Sequence, residues 1–377
     1  MPSPPNYPGV PLDEIPPGVP VISGVSTAVT AFVGPVRRGP VNRPVRVSSV
    51  VEFERRFGAL SATHETGYAV RQFFQNGGRE AWVVRVARQP SLRQLDAGLR
   101  ALDAVDLFNL LALPGTTHPS AIALALAYCE RRRAFLLVDP PASATTPAEI
   151  QGAAAAWPPE VKSHAAIYHP WLRIADPLHP GQTRLAPPSG TIAGLIARTD
   201  AARGVWKAPA GLDAKLEAVV ALDRVLTDAE SGPLNARGIN CLRSFPTSGF
   251  VAWGGRTLAG DDQSASDFKY IPVRRTALFI EESVARGTKW ALFEPNDEPL
   301  WARLRLCVGE FLDVLFRQGA FQGATPREAY FVKCGRDTTT PADIGSGIVH
   351  VEVGFAPLRA AEFVVLRVQQ STARSEP

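Results

Sequence analysis

The chain is poor in the residues from which most catalytic and metal sites are made. Its 377 residues include only four cysteines, six histidines, one methionine and six lysines. Cys129, Cys241, Cys307 and Cys334 lie far apart, form no CxxC pair and sit in apolar runs, which predicts buried free thiols in a reducing compartment. His64, His118, His164, His169, His179 and His350 share no HxH, HExxH or His–Cys spacing, so no metal site is expected. There is no GxGxxG, no P-loop and no GxSxG elbow. No apolar run reaches the about 18 residues of a membrane-spanning helix. The N-terminus opens on prolines instead of a secretion signal, so synthesis and folding in the cytoplasm are expected. A formal charge of +4 is too small for a nucleic-acid binder.

The carboxylates assemble no site either. Glu281 and Glu282 are adjacent on a predicted helix, point about 100° apart and cannot flank one bond. Asp261-Asp262 falls in GDDQSASD, which has the composition of a solvated hairpin loop. His169-Pro170 reads as a turn in a Pro-rich loop.

What the chain does have is length and regular patterning. It is long enough for two or three domains with sizeable cores. Residues 1–20 hold eight prolines, at positions 2, 4, 5, 8, 11, 16, 17 and 20, and cannot be helix or central strand. From composition they read either as a disordered tail or as an arm that orders on a neighbouring subunit, followed by strand character at 19–22 and 27–33. Strand-like runs at 81–86, 107–113, 134–138 and 165–168 then alternate with helical runs at 52–57, 68–74, 92–105, 121–132 and 148–156. That alternation predicts an α/β sandwich on a mainly parallel sheet.

Residues 170–211 are rich in proline and glycine and read as a crossing between halves. A helix is predicted over 212–226 from leucines at helical spacing. Two strand-like runs, 249–253 and 289–293, flank a helix over 274–286 whose stop is assigned to a left-handed Gly287. The longest helix is predicted over 298–318, capped by Asp297, with Pro299 in its first turn and Gly319 beyond its end. Leu300, Leu304, Val308, Phe311 and Leu315 form its apolar stripe; Arg303, Glu310, Asp313 and Arg317 lie opposite. Strands at 328–334, 348–354 and 362–370 close the chain. The last is apolar enough to need a partner.

The words GINCLRSF, VAWGGRTL, KYIPVRR, FEPNDEPLW, AYFVKC and AEFVVLRV resemble the C-terminal domain of contractile tail sheath proteins. The opening YPGVPLDEIPPGVPVISGVSTAVTAFVG and the middle words FFQNGG, YHPWL and GVWKAPAG resemble the same family, in family order. The fold class expected is α/β (α+β): an N-terminal-half sandwich and a C-terminal sheath domain with a mixed sheet and helices, with extended arms at both ends. The expected division is an arm over 1–20, an outer domain over 21–200, a tube-facing domain over 201–358 and a C-terminal arm over 359–377.

The resemblance implies a structural subunit without catalysis or cofactor. It would polymerise as stacked hexameric rings around an inner tube and contract to drive the tube through a target envelope. Its partners would be itself, the inner tube protein, and baseplate and terminal cap proteins, with no direct contact to nucleic acid or membrane. Assembly in the bacterial cytoplasm, as part of a phage tail or tail-like particle released by lysis, is implied as well. Val19, Val21, Ile22, Phe363, Val364, Val365, Leu366 and Val368 are the expected inter-subunit strand residues. Arg286, Lys289, Arg303, Glu310, Asp313 and Arg317 are the tube-facing candidates. The competing reading is a soluble α/β enzyme with a loop-borne site.

Overall fold

The structure is a computed structural model that describes residues 20–152, 159–263, 266–359 and 362. The chain forms two compact units. Among the described residues, the larger comprises Val25–Glu282, Ala320–Gln322, 357–359 and Glu362, and the smaller comprises 20–24 with Ser283–Gly319 and Gly323–Ala356.

Strands β1 (Thr30–Gly34), β3 (Ala81–Arg85), β4 (Leu110–Ala112), β5 (Phe135–Val138) and β6 (Ala165–His169) alternate with helices, as the sequence predicts, and an unpredicted strand β2 (Val45–Val47) follows β1 directly. Next come β7 (Leu172–Ala175), β8 (Thr183–Ala186) and β9 (Ala221–Leu222), a separate antiparallel three-stranded sheet. Then β10 (Ile239–Phe245) and β11 (Gly249–Ala252) return to the first sheet. That sheet has eight strands in the order β11-β10-β6-β5-β4-β1-β3-β2. Its interior pairings are parallel, and β2 and β11 are antiparallel edges.

The central strands are near-continuous apolar runs because both faces are covered. Phe32, Leu110, Phe135, Leu137 and Tyr168 point into one core with helices Glu65–Gln75 and Ser189–Arg203. Val33, Leu111, Leu136, Val138 and Ile167 point into the other with Leu92–Ala101 and Pro119–Arg131. The first pair of helices meets at its backbones. A Cβ on Gly190 would lie 2.4 Å from the Ala69 carbonyl oxygen, and one on Gly194 2.4 Å from that of Phe73.

Several expectations are corrected here. Residues 170–211 are no mere crossing: they hold β7, β8 and the buried helix Ser189–Arg203. The helix predicted over 212–226 is absent. Ala218 takes a left-handed φ of 57° there, and Leu216, Leu222 and Leu226 are buried from turns and the short β9. Residues 201–282 fall with the first sheet, since β10 pairs in parallel with β6, so the compact units do not divide at residue 200.

Helix Ile271–Gly287 is buried nearly all round its first turns. It carries Arg275 into a bidentate pair with Asp200 at 2.8 and 2.7 Å, both side chains under 5% exposed. Gly287 lies inside this helix and is no left-handed cap. A Cβ on it would sit 2.6 Å from Ile22, so its bareness makes room for the N-terminal segment. Residues 289–293 are not a strand but a 3-10 turn over Lys289–Ala291, followed by Phe293 at φ 70°.

In the smaller unit, helix Glu298–Arg317 has the predicted ends. Asp297 accepts from the Leu300 amide at 3.3 Å, and Gly319 takes φ 78°. The predicted apolar stripe is buried, with Leu300, Trp301, Leu304 and Cys334 forming the local core. Strands β12 (Tyr330–Lys333) and β13 (Glu352–Phe355) pair antiparallel and, among the described residues, have no further strand.

Candidate functional site

Ligands in doubly wound sheets bind beyond the carboxyl ends of the strands, so those loops are the place to look for chemistry. Asp139, after β5, accepts from the amides of Gly115 at 3.0 Å and Ser189 at 2.9 Å and from the Ser189 hydroxyl at 2.7 Å. Burial pushes its pKa up to about 6. The carboxyl thus ties two loops to the start of helix Ser189–Arg203. His169, at the end of β6, is 3% exposed and pushed down to about 4 by burial, so it is neutral at pH 7. It makes no hydrogen bond to Asp139.

Asp262 is exposed, as expected of a solvated loop, and also takes Arg256 at 2.8 Å and Lys269 at 2.6 Å. Glu281 and Glu282 lie 3.9 and 3.2 Å from Arg133. Among the described residues no group of three His, Cys, Asp or Glu is placed to hold a metal.

The charged face of helix Glu298–Arg317 is partly self-paired. Arg317 reaches Asp313 at 2.6 Å across one turn, and Arg303 lies 3.8 Å from Glu294 and 4.5 Å over the Trp290 ring. Glu310 is exposed. Two apolar residues expected nowhere on this face join it, Leu306 at 49% and Val314 at 51% exposure. Arg286 is half-buried near the end of helix Ile271–Gly287, and Lys289 is exposed in the turn after it.

The arm residues divide. Val19, Phe363, Val364, Val365, Leu366 and Val368 lie outside the described residues. Val21 and Ile22 are described and form no strand. Ile22 is buried against Gly287, and the Cys307 thiol donates to the Pro20 carbonyl beside it. Val21, at 79% exposure, points away.

At the other end Glu362 is held by Arg256, whose side chain is 1% exposed. Arg256 donates from Nε and Nη2 to the two Glu362 oxygens at 2.7 and 2.5 Å. Its Nη1 reaches the carbonyls of Asn235 at 2.9 Å and Gly260 at 3.0 Å, besides Asp262. The partner of Arg256 stands 106 positions away, with no local sequence signal to link them.

Comparison with known proteins accounts for the spread of these features. The phage tail sheath protein central domain matches residues 94–258, and the phage tail sheath C-terminal domain matches residues 263–371. A solved PVC sheath complex, an extracellular contractile injection system in its contracted state, is 30% identical, with a TM-score of 0.81 over 98% of this chain and 99% of that one. The chain belongs to the phage tail sheath family.

As a sheath protein it is a structural component of a phage tail or tail-like particle. Its α/β architecture is also that of the anti-feeding prophage helical sheath in the contracted state, at 29% identity and a TM-score of 0.79 over 97% of this chain and 99% of that one. A putative prophage major tail sheath protein of Pseudomonas aeruginosa is 28% identical over 72% of this chain and 68% of that one. The Vibrio phage KVP40 tail sheath protein is 36% identical over 31% of this chain, and the matched stretch spans only 17% of that longer protein. No described helix is long and apolar enough to cross a membrane.

Proposed function

We propose that this sheath protein polymerises as hexameric rings stacked around a rigid inner tube, and that the polymer shortens and widens to drive the tube through a target envelope. The observation that carries this reading is the β12–β13 pair, which has no further strand among the described residues. The open edge of such a pair accepts an added strand through main-chain hydrogen bonds. The apolar run Phe363, Val364, Val365, Leu366, Val368 and the segment ending at Val19 and Val21 have the composition to supply such strands from neighbouring copies. Energy is stored in the packing of the long state, so no nucleotide is required. Baseplate and terminal cap proteins complete the partner set, and the particle assembles in the bacterial cytoplasm and leaves by lysis.

The tube is gripped through charge, because a contact that must later release favours weak exposed pairs over a large apolar seal. Arg303, Glu310, Asp313 and Arg317, or Arg286 and Lys289, supply that surface on the tube-facing side.

Electron microscopy of the chain co-expressed with a candidate inner-tube protein tests the reading. Sheathed tubes are expected. Deleting residues 363–377 should leave folded, soluble monomers, and normal tubes from the truncated chain would overturn the strand-exchange reading. Reversing Arg303 and Arg317 to Glu, or Arg286 and Lys289 to Glu, should leave the fold intact. One of these double variants should lose assembly on the tube. Full-length particles at normal yield from both would place the grip elsewhere.

A further inference from the structure

We propose that the Arg256–Glu362 pair fastens the root of the C-terminal segment to the central sheet, so that tension on that segment enters the sheet at one point. The source of tension rests on the sheath reading above; the fastening itself does not.

The path can be followed atom by atom. Glu362 is the last residue before the apolar run that opens at Phe363, so a pull on that run reaches Glu362 first. Both of its carboxylate oxygens are held by Arg256, at 2.7 and 2.5 Å. The two bonds are loaded together and constrain direction as well as distance.

Arg256 is in turn fixed at its backbone. Asn240 Oδ1 accepts from the Arg256 amide at 2.7 Å, and Asn240 Nδ2 donates to the Arg256 carbonyl at 2.8 Å. The same Nδ2 donates to the Ile167 carbonyl at 3.1 Å. Asn240 lies on β10 and Ile167 on β6, two adjacent parallel strands of the eight-stranded sheet. A bare Gly254 lets this happen: a Cβ there would lie 2.8 Å from Asn240 Oδ1.

Stability alone does not call for this arrangement. Replacing a buried ion pair by well-packed apolar side chains is often neutral or stabilising. A charged fork anchored to two strands adds a defined attachment point. Asp262, bound to the same guanidinium, leaves Arg256 a carboxylate partner when Glu362 is neutralised, so the pair can be altered without stranding a lone buried charge.

The test uses the full chain with Glu362→Gln, which keeps the side-chain shape, and Glu362→Asp, which keeps the charge but shortens the reach. Each is pulled in optical tweezers between the C-terminus and a cysteine placed at exposed Gln89. The wild type should release the C-terminal segment at about twice the force needed for Glu362→Gln or more, with Glu362→Asp between them and the later unfolding of the sheet unchanged. Equal release forces for the wild type and Glu362→Gln would overturn the fastening. Sheaths built from Glu362→Gln should assemble but lose subunits when contracted. If release is weakened yet contracted sheaths stay as intact as the wild type, the role in carrying tension is overturned. Failure of the wild type itself to form sheaths, with its release force still high, would count against the sheath reading and leave the fastening standing.

Discussion

In the larger unit each interior strand of the main sheet has a neighbour on both sides and helices over both faces, whereas the two strands of the smaller unit have only each other among the described residues. The edges differ in the same way. The outer side of β11 is covered by residues 211–216, with Ala252 bonded to Ala214 and Leu216 to Phe250. At the other end β2 is three residues long, follows Pro44, and carries Arg46 in a bidentate pair with Glu80 at 2.7 and 2.9 Å. Shortness, proline and charge are ways of keeping an edge from recruiting strands. β12 and β13 are also short and carry Lys333 and Glu352, but among the described residues no further strand covers their outer edges, and half-exposed Phe331 sits on β12. One unit completes its sheet from its own residues, and under the proposed function the other takes a strand from a neighbouring copy.

The strongest way to break this contrast is to attack the larger unit where it is tightest. Gly194→Leu would drive a side chain into the Phe73 carbonyl, and a loss of about 3 kcal/mol or more is expected in urea unfolding. An unchanged midpoint would mean that the two helices are not in backbone contact. The smaller unit is probed by Leu304→Ala, which empties a buried position at a cost of about 3 kcal/mol. Hydrogen exchange should quicken at 300–317 and 330–333 and stay slow at 110–112 and 135–138. Faster exchange in β4 and β5 as well would show that the units do not hold separate cores.

The smallest effect is a pH dependence peculiar to the larger unit. Asp139 titrates near 6 when folded, above the about 3.9 of an unfolded aspartate. The folded state therefore binds the proton more tightly, and stability falls as pH rises from about 4 to about 6, by roughly 2 kcal/mol. Subtracting the profile of Asp139→Asn should isolate that slope. Parallel profiles would show that Asp139 is not the titrating group.

Legibility followed the locality of the signal. Helix Glu298–Arg317 could be read because Asp297, Pro299 and Gly319 mark its ends within a few residues. Strands β1, β3, β4, β5 and β6 could be read because burial on both faces makes them unbroken apolar runs, whereas β2 and β10 were not read. Helix Ser189–Arg203 could not: its first nine residues are all buried, so no polar face gives it a helical period, and prolines precede it. The opposite error fell on 212–226, where Leu212 is exposed and Leu216, Leu222 and Leu226 are buried separately from turns and the short β9. At the candidate site the charged helix face was legible from periodicity. The seat of Ile22 on Gly287 and the hold of Arg256 on Glu362 were not, because each joins residues far apart in the chain.

The bare Gly287 beneath Ile22 also sets a zero mark. An extended chain turns successive side chains to opposite sides, so a slip of one residue would lift Ile22 out of its notch and press Val21 toward it. Ile22 therefore fixes the register in which the described residues 20–22 lie against the helix.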